Sequence, residues 1–129
     1  MTLEEIDNLI ELVGSIKKIK RKDGIWPIYP EGLYESLYEL GGDINYMENY
    51  KLSKDIPFAN KTIAELNTYF MWLVRGERFC DGLITCEIEN KNLLRALKRF
   101  RELFVEEIEK DLAKWHNKII RSGEKYENL

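Results

Sequence analysis

Residues 62–89, TIAELNTYFMWLVRGERFCDGLITCEIE, decide how this chain is read. Thr62 and Glu65 form a T-x-x-E capping box, in which hydroxyl and carboxylate each satisfy a backbone donor left unpaired at a helix start. Ile63, Leu66, Phe70 and Leu73 then recur at the spacing of an amphipathic helix. Tyr69 to Val74 is apolar on every side, which implies a central, enclosed helix. Beyond Gly76 the pattern resumes with Phe79, Cys80, Leu83, Ile84 and Ile88 on one face. Glycine costs a helix about 1 kcal/mol relative to alanine, so Gly76 marks either a kink or an end. The residues around it, Arg75, Glu77, Arg78, Asp81 and Gly82, read as a polar joint between two buried helices.

The flanks extend the helical pattern. Thr2 and Glu5 make another capping box, followed by Leu3, Ile6, Leu9, Ile10, Val13, Ile16 and Ile19 at helical spacing. This helix is expected to run into KKIKRKDG and to stop at Gly24. In IWPIYP each proline pushes its predecessor into extended backbone, so the segment is not helical. Pro30 suits a helix start, and the short stripe from Leu33 to Leu40 ends at GGD. The stretch to residue 60 carries weak helix or loop signals. After the turn ENKN, Leu93, Leu97, Phe100, Phe104, Ile108, Leu112, Trp115 and Ile119 step by three or four residues as one long helix. The expectation is an all-α, single-domain bundle spanning residues 1–129, with five helices packed around residues 63–88 and a frayed tail at 122–129.

Size and charge bound the function. The chain has 129 residues, 44% of them apolar and 33% charged, enough to bury a core without disulfides or metals. A net charge of −3 argues against a duplex nucleic-acid binder. No apolar run approaches the ~18 residues of a membrane span, and MTLEEIDNLI puts acids where a signal peptide carries cations. The expectation is a cytosolic protein with no membrane. Cys80 and Cys86, about 9 Å apart along a helix, read as reduced thiols. With His116 the only histidine and no CxxC, no metal site and no cofactor are expected.

Two readings of the joint stand side by side. In the first, Arg75 and Arg78 neutralise Glu77 and Asp81 in an ion-pair lattice that pins two helices. In the second, Arg75 and Arg78 hold a small anionic or nucleotide-like ligand, helped by Arg99, with Gly82 allowing close approach and Trp26 or Tyr29 as aromatic cover. The planar guanidinium fork suits carboxylate and phosphate alike. Glu77 and Asp81 are also the candidates for acid–base or metal-assisted chemistry, although no complete catalytic set surrounds them. Cys80 falls on the apolar face and reads as core. KKIKRK reads as a solvated helix end, and Arg95, Lys98, Arg99 and Arg101 as cations compensated by Glu87 and Glu89. Five tyrosines between residues 29 and 50 read as padding of an irregular segment.

The stretch LVRGERFCDGLITCEIENKNLLRALKRF resembles the core of an uncharacterised prokaryotic family, a domain of unknown function. Its pattern is an aromatic-rich helix, an RGERFCDG-like motif, then a leucine-rich helix with basic positions. The resemblance covers roughly residues 66–103. It implies a helical fold and importance for Arg75, Gly76, Glu77, Arg78, Phe79, Asp81 and Gly82, and carries no chemistry. The functional expectation is a non-enzymatic interaction or regulatory module that homodimerises through the long helix, whose apolar stripe outruns what its neighbours can cover. The alternatives are the anionic-ligand protein described above and, behind it, a small phosphoryl-transfer or hydrolytic enzyme.

Overall fold

The computed structural model describes residues 1–42, 45–79 and 82–119, and the backbone alone of 120–127. The elements run α1 (Leu3–Ser15), β1 (Lys20–Lys22), β2 (Trp26–Ile28), α2 (Leu33–Leu40), α3 (Tyr46–Ser53), a 3₁₀ turn (Phe58–Asn60), α4 (Ile63–Glu77), α5 (Leu83–Glu89) and α6 (Asn92–Glu127). The fold is mostly helical, with six α-helices among the described residues rather than five and one small antiparallel hairpin.

Both capping boxes form. Thr2 accepts from the Glu5 N–H and Thr62 from the Glu65 N–H, and each glutamate returns the bond to its cap. The enclosed helix also forms: in α4, Leu66, Phe70, Leu73 and Val74 are fully buried. It packs against α2, α3, α5 and α6, while α1 lies along α6. The core is one cluster from these elements, with Ile6, Leu37, Leu66, Phe70, Ile84 and Leu97 at its centre.

The first helix ends earlier than its periodicity implies. It stops at Ser15, where Ile16 turns extended, and Ile19 reaches the core from extended chain instead. Gly24 is therefore no helix stop. Asp23 and Gly24 have φ of 56° and 73°, and the Ile25 N–H closes the turn on the Lys22 carbonyl at 3.1 Å. Positive φ at both central residues is what a type I′ turn requires, and Asp-Gly is its preferred pair. The second half of KKIKRK thus lies in a hairpin strand, with Lys20 opposite Ile28, Arg21 opposite Pro27 and Lys22 opposite Trp26. Likewise α2 starts after Gly32, not at Pro30.

A buried lysine ties the middle of the chain together. Lys61 is 3% exposed, and its ammonium donates to the carbonyl of Ser53, the last residue of α3, at 2.6 Å. Burial lowers its pKa. The Lys61 carbonyl in turn accepts from Arg99 Nε at 3.1 Å, fastening α6 to this loop.

Candidate functional site

The joint after Val74 is built around Glu77, at the end of α4. Its Oε1 accepts from the Tyr29 hydroxyl at 2.5 Å and from the Gly82 N–H at 3.0 Å, and its Oε2 accepts from the Ile84 N–H at 3.0 Å. Gly82, Leu83 and Ile84 open α5, whose cap residue Gly82 has no side chain to satisfy the first backbone donors. Glu77 supplies that cap from the preceding helix. A carboxylate suits the positive end of a helix, and hydrogen bonds to a charged group are about twice as strong as neutral ones.

Tyr29 completes the node. While its hydroxyl donates to Glu77, its oxygen accepts from the Thr85 N–H at 3.2 Å and contacts the Thr85 hydroxyl at 2.8 Å. Burial, reinforced by the neighbouring Glu77 carboxylate, pushes the Tyr29 hydroxyl well above its ordinary value. Each polar atom here meets a complementary one. A carboxylate engaged by three donors, two of them backbone, ties the start of α5 to the end of α4. A second tyrosine–carboxylate pair sits one turn on. Tyr69 donates to Glu87 at 2.9 Å, and the other Glu87 oxygen accepts from Asn90 and Asn92 at the start of α6.

Gly76 stands one residue before the end of α4, as its cost to a helix implies, and each glycine has its own reason to lack a side chain. A Cβ on Gly82 would meet nothing within 4 Å, and its φ of 102° is the reason for glycine there. Gly76 carries the close approach: a Cβ would lie 2.4 Å from Leu83 Cδ2, so α5 seats its first leucine on the bare backbone of α4. Phe79, expected on a buried face, is 88% exposed, whereas Thr85 is buried. The physical reason is that residue 79 lies past the end of α4 and α5 begins only at Leu83, so no continuous helix phases one against the other.

Arg75 and Arg78 do not reach Glu77, and no ion-pair lattice forms among the described residues. Instead the guanidinium of Arg75 lies 5.9 Å from the centre of the Tyr38 ring, and Arg78 Nε donates to the Tyr34 hydroxyl at 3.4 Å. Both line an open concavity of about 480 Å³ together with Tyr38, Tyr46, Met71 and Phe79. Of the other residues assigned to a ligand, Gly82 and Tyr29 belong to the Glu77 node, Trp26 lies on the hairpin, and Arg99 pairs with Glu102 at 3.1 Å. The six do not converge on one pocket. Asp81 and Cys80 lie outside the described residues, and Cys86 is an exposed free thiol.

The cations early in α6 find partners other than those expected. Arg95 donates to the Asn90 carbonyl and to Asn92 Oδ1, and Arg101 pairs with Asp7 of α1. Glu89 accepts from the Ile19 N–H at 3.4 Å. Of the five clustered tyrosines, Tyr29, Tyr34 and Tyr50 pack against the core, and Tyr50 stacks on Trp72. Among the described residues no group of three His, Cys, Asp or Glu side chains could hold a metal ion. No helix there is long and apolar enough to cross a membrane.

Fold and joint together define a mostly helical domain in which Glu77, Tyr29 and the first backbone donors of α5 form one hydrogen-bonded node between two helices. A model described as a family of unknown function, DUF6508, matches residues 45–106, from the start of α3 to the point where α6 leaves the core. That span includes Glu77, Gly82 and Glu87 but neither α1 nor the hairpin that brings Tyr29. No curated protein and no solved structure matches the chain.

Proposed function

We propose that the chain is a non-enzymatic interaction module that pairs with a second copy of itself through the outer part of α6. The observation that carries this reading is the exposure of that helix. Every residue from Glu106 to Ile119 is exposed, a stretch of about 21 Å at 1.5 Å per residue. Along it Ile108, Leu112, Trp115 and Ile119 are 37%, 58%, 63% and 47% exposed. At 100° per residue the four fall within an arc of about 60°, the narrow seam of a coiled coil rather than the broad face of a domain helix.

The charges suit an antiparallel partner. Glu106, Glu107, Glu109 and Asp111, with a single cation, Lys110, precede the midpoint of the seam, and Lys114 and Lys118 follow it. Antiparallel helices lay acids against bases, with Leu112 on Trp115 and Ile108 on Ile119 of the other copy. A parallel, in-register pair would stack like charge on like charge. Only about three turns are involved, so the association is weak and concentration-dependent. Analytical ultracentrifugation across the micromolar range tests it. A rising mass that Leu112→Glu abolishes without lowering Tm supports the pairing; a monomer at every concentration refutes it.

The Arg75/Arg78 concavity favours a second reading, as a protein that binds a small anion with an apolar body. Both guanidiniums share one hollow with aromatic walls and no described carboxylate. A thermal-shift panel of nucleotides and phosphorylated metabolites tests it, since occupancy at 100 times Kd stabilises by about 2.7 kcal/mol. A flat response across the panel removes it.

A further inference from the structure

We propose that the β1–β2 hairpin is a docking surface for the anionic face of a lipid bilayer, a reading independent of self-association through α6. Three large apolar side chains at and beside its turn stand in water: Ile25 is 63% exposed, Trp26 54% and Ile28 53%. Lys17, Lys18, Lys20, Arg21 and Lys22 surround them, all exposed, and none forms an ion pair with a described carboxylate. Directly opposed residues of an antiparallel pair share a face. The register therefore puts Lys20, Lys22, Trp26 and Ile28 on one side of the ribbon.

That combination matches the headgroup boundary of an anionic membrane. Tryptophan is enriched at membrane–water interfaces, where its ring sits at headgroup depth. Lysine stems lie along apolar surface while their ammonium groups stay among phosphates and water. Pro27, mid-strand in β2, leaves that edge with one backbone donor fewer to desolvate. Ile28 and Lys20 also line, with Ile16, Lys18, Ile19 and Pro30, a groove of about 290 Å³ that is cationic and apolar in the same way. A nucleic acid would use the cations and stack on Trp26, but two exposed isoleucines offer no stacking plane. The bilayer uses both halves of the surface.

The test is co-sedimentation of the full chain with vesicles of phosphatidylcholine alone and of phosphatidylcholine containing phosphatidylserine, at low and high salt. The expected result is binding to the phosphatidylserine vesicles at low salt, released at high salt. Each cation near such a surface contributes about fivefold in affinity, so Lys20→Gln with Lys22→Gln lowers binding by roughly twenty-five-fold. Trp26→Ala also weakens binding and removes the part of tryptophan quenching by brominated lipid that comes from residue 26. All these side chains are exposed, so Tm is expected to hold. Leu112→Glu, which breaks pairing through α6, leaves vesicle binding intact. No binding to phosphatidylserine vesicles at low salt overturns the proposal. So does binding that the hairpin variants leave unchanged but Leu112→Glu abolishes, or capture of a single-stranded oligonucleotide in preference to vesicles.

Discussion

Replacing Glu77 by glutamine tests whether the joint is architecture. The change is isosteric, but it removes the charge and turns one acceptor into a donor. If the amide oxygen stays with Gly82 and Tyr29, the amide nitrogen faces the Ile84 N–H, donor against donor; the flipped amide abandons the Tyr29 hydroxyl and the Gly82 N–H instead. A hydrogen bond to a charged group contributes about 1.5–3 kcal/mol against about 1 for a neutral one. Weakening two such bonds and losing a third comes to roughly 2–3 kcal/mol, discounted because the node is only partly buried. Glu77→Ala orphans all three donors and should cost about 3–4 kcal/mol, within the range of breaking a buried network. Urea unfolding followed by far-UV circular dichroism measures both, at one protein concentration so that association through α6 does not intrude. Tyr29→Phe in the same assay should cost about 1–2 kcal/mol, because it leaves the buried Thr85 N–H without its acceptor. The two changes should be non-additive, with a coupling of at least about 0.5 kcal/mol for groups in direct contact. If Glu77→Gln stays within about 0.5 kcal/mol of the parent, as an ordinary surface change would, the carboxylate is not the cap and the reasoning fails.

Two further predictions rest on the same region. Gly82→Ala should cost about 1–2 kcal/mol from its backbone conformation alone, and truncating neighbours should not rescue it because its Cβ meets nothing. Gly76→Ala acts instead through Leu83, so Leu83→Ala should cost less in the Gly76→Ala background than in the parent; equal costs in equilibrium unfolding would refute the contact. Alkaline stability should report Tyr29 and Tyr69, both raised above the ordinary tyrosine value by burial and by neighbouring carboxylates. Because the folded state keeps protons that the unfolded chain releases above about pH 10, their contribution is full below that pH and is lost as pH rises beyond it. Lys61, lowered by burial, has the opposite sign just below about 10.5, the ordinary lysine value, so the comparison is between single variants. Urea midpoints from about pH 8 to 11 should fall less steeply for Tyr69→Phe than for the parent, and parallel curves would count against the assignment.

The periodic and capped parts of this protein are legible in its sequence. Thr2 with Glu5, Thr62 with Glu65, the stripe of α4 and the stripe from Leu93 to Ile119 each encode a helix through contacts within four residues, which linear spacing records directly. The polarity of the joint and the incomplete cover of α6 are legible for the same reason. The hairpin was written there too, in Asp23-Gly24, but the apolar positions of α1 run on to Ile19 at helical spacing, and periodicity alone does not separate a buried extended residue from a helical one. Which partner each polar group takes belongs to tertiary structure. Arg75 and Arg78 are the nearest cations to Glu77 in sequence, yet its carboxylate goes to the uncapped start of α5 and to Tyr29, 48 residues away. Those donors are desolvated when α4, α5 and the segment after β2 pack together, and a buried unpaired N–H costs more than a missing surface ion pair. Local spacing determined the capped and striped helices but not α3; only packing decided which charges were needed inside and which were left facing water.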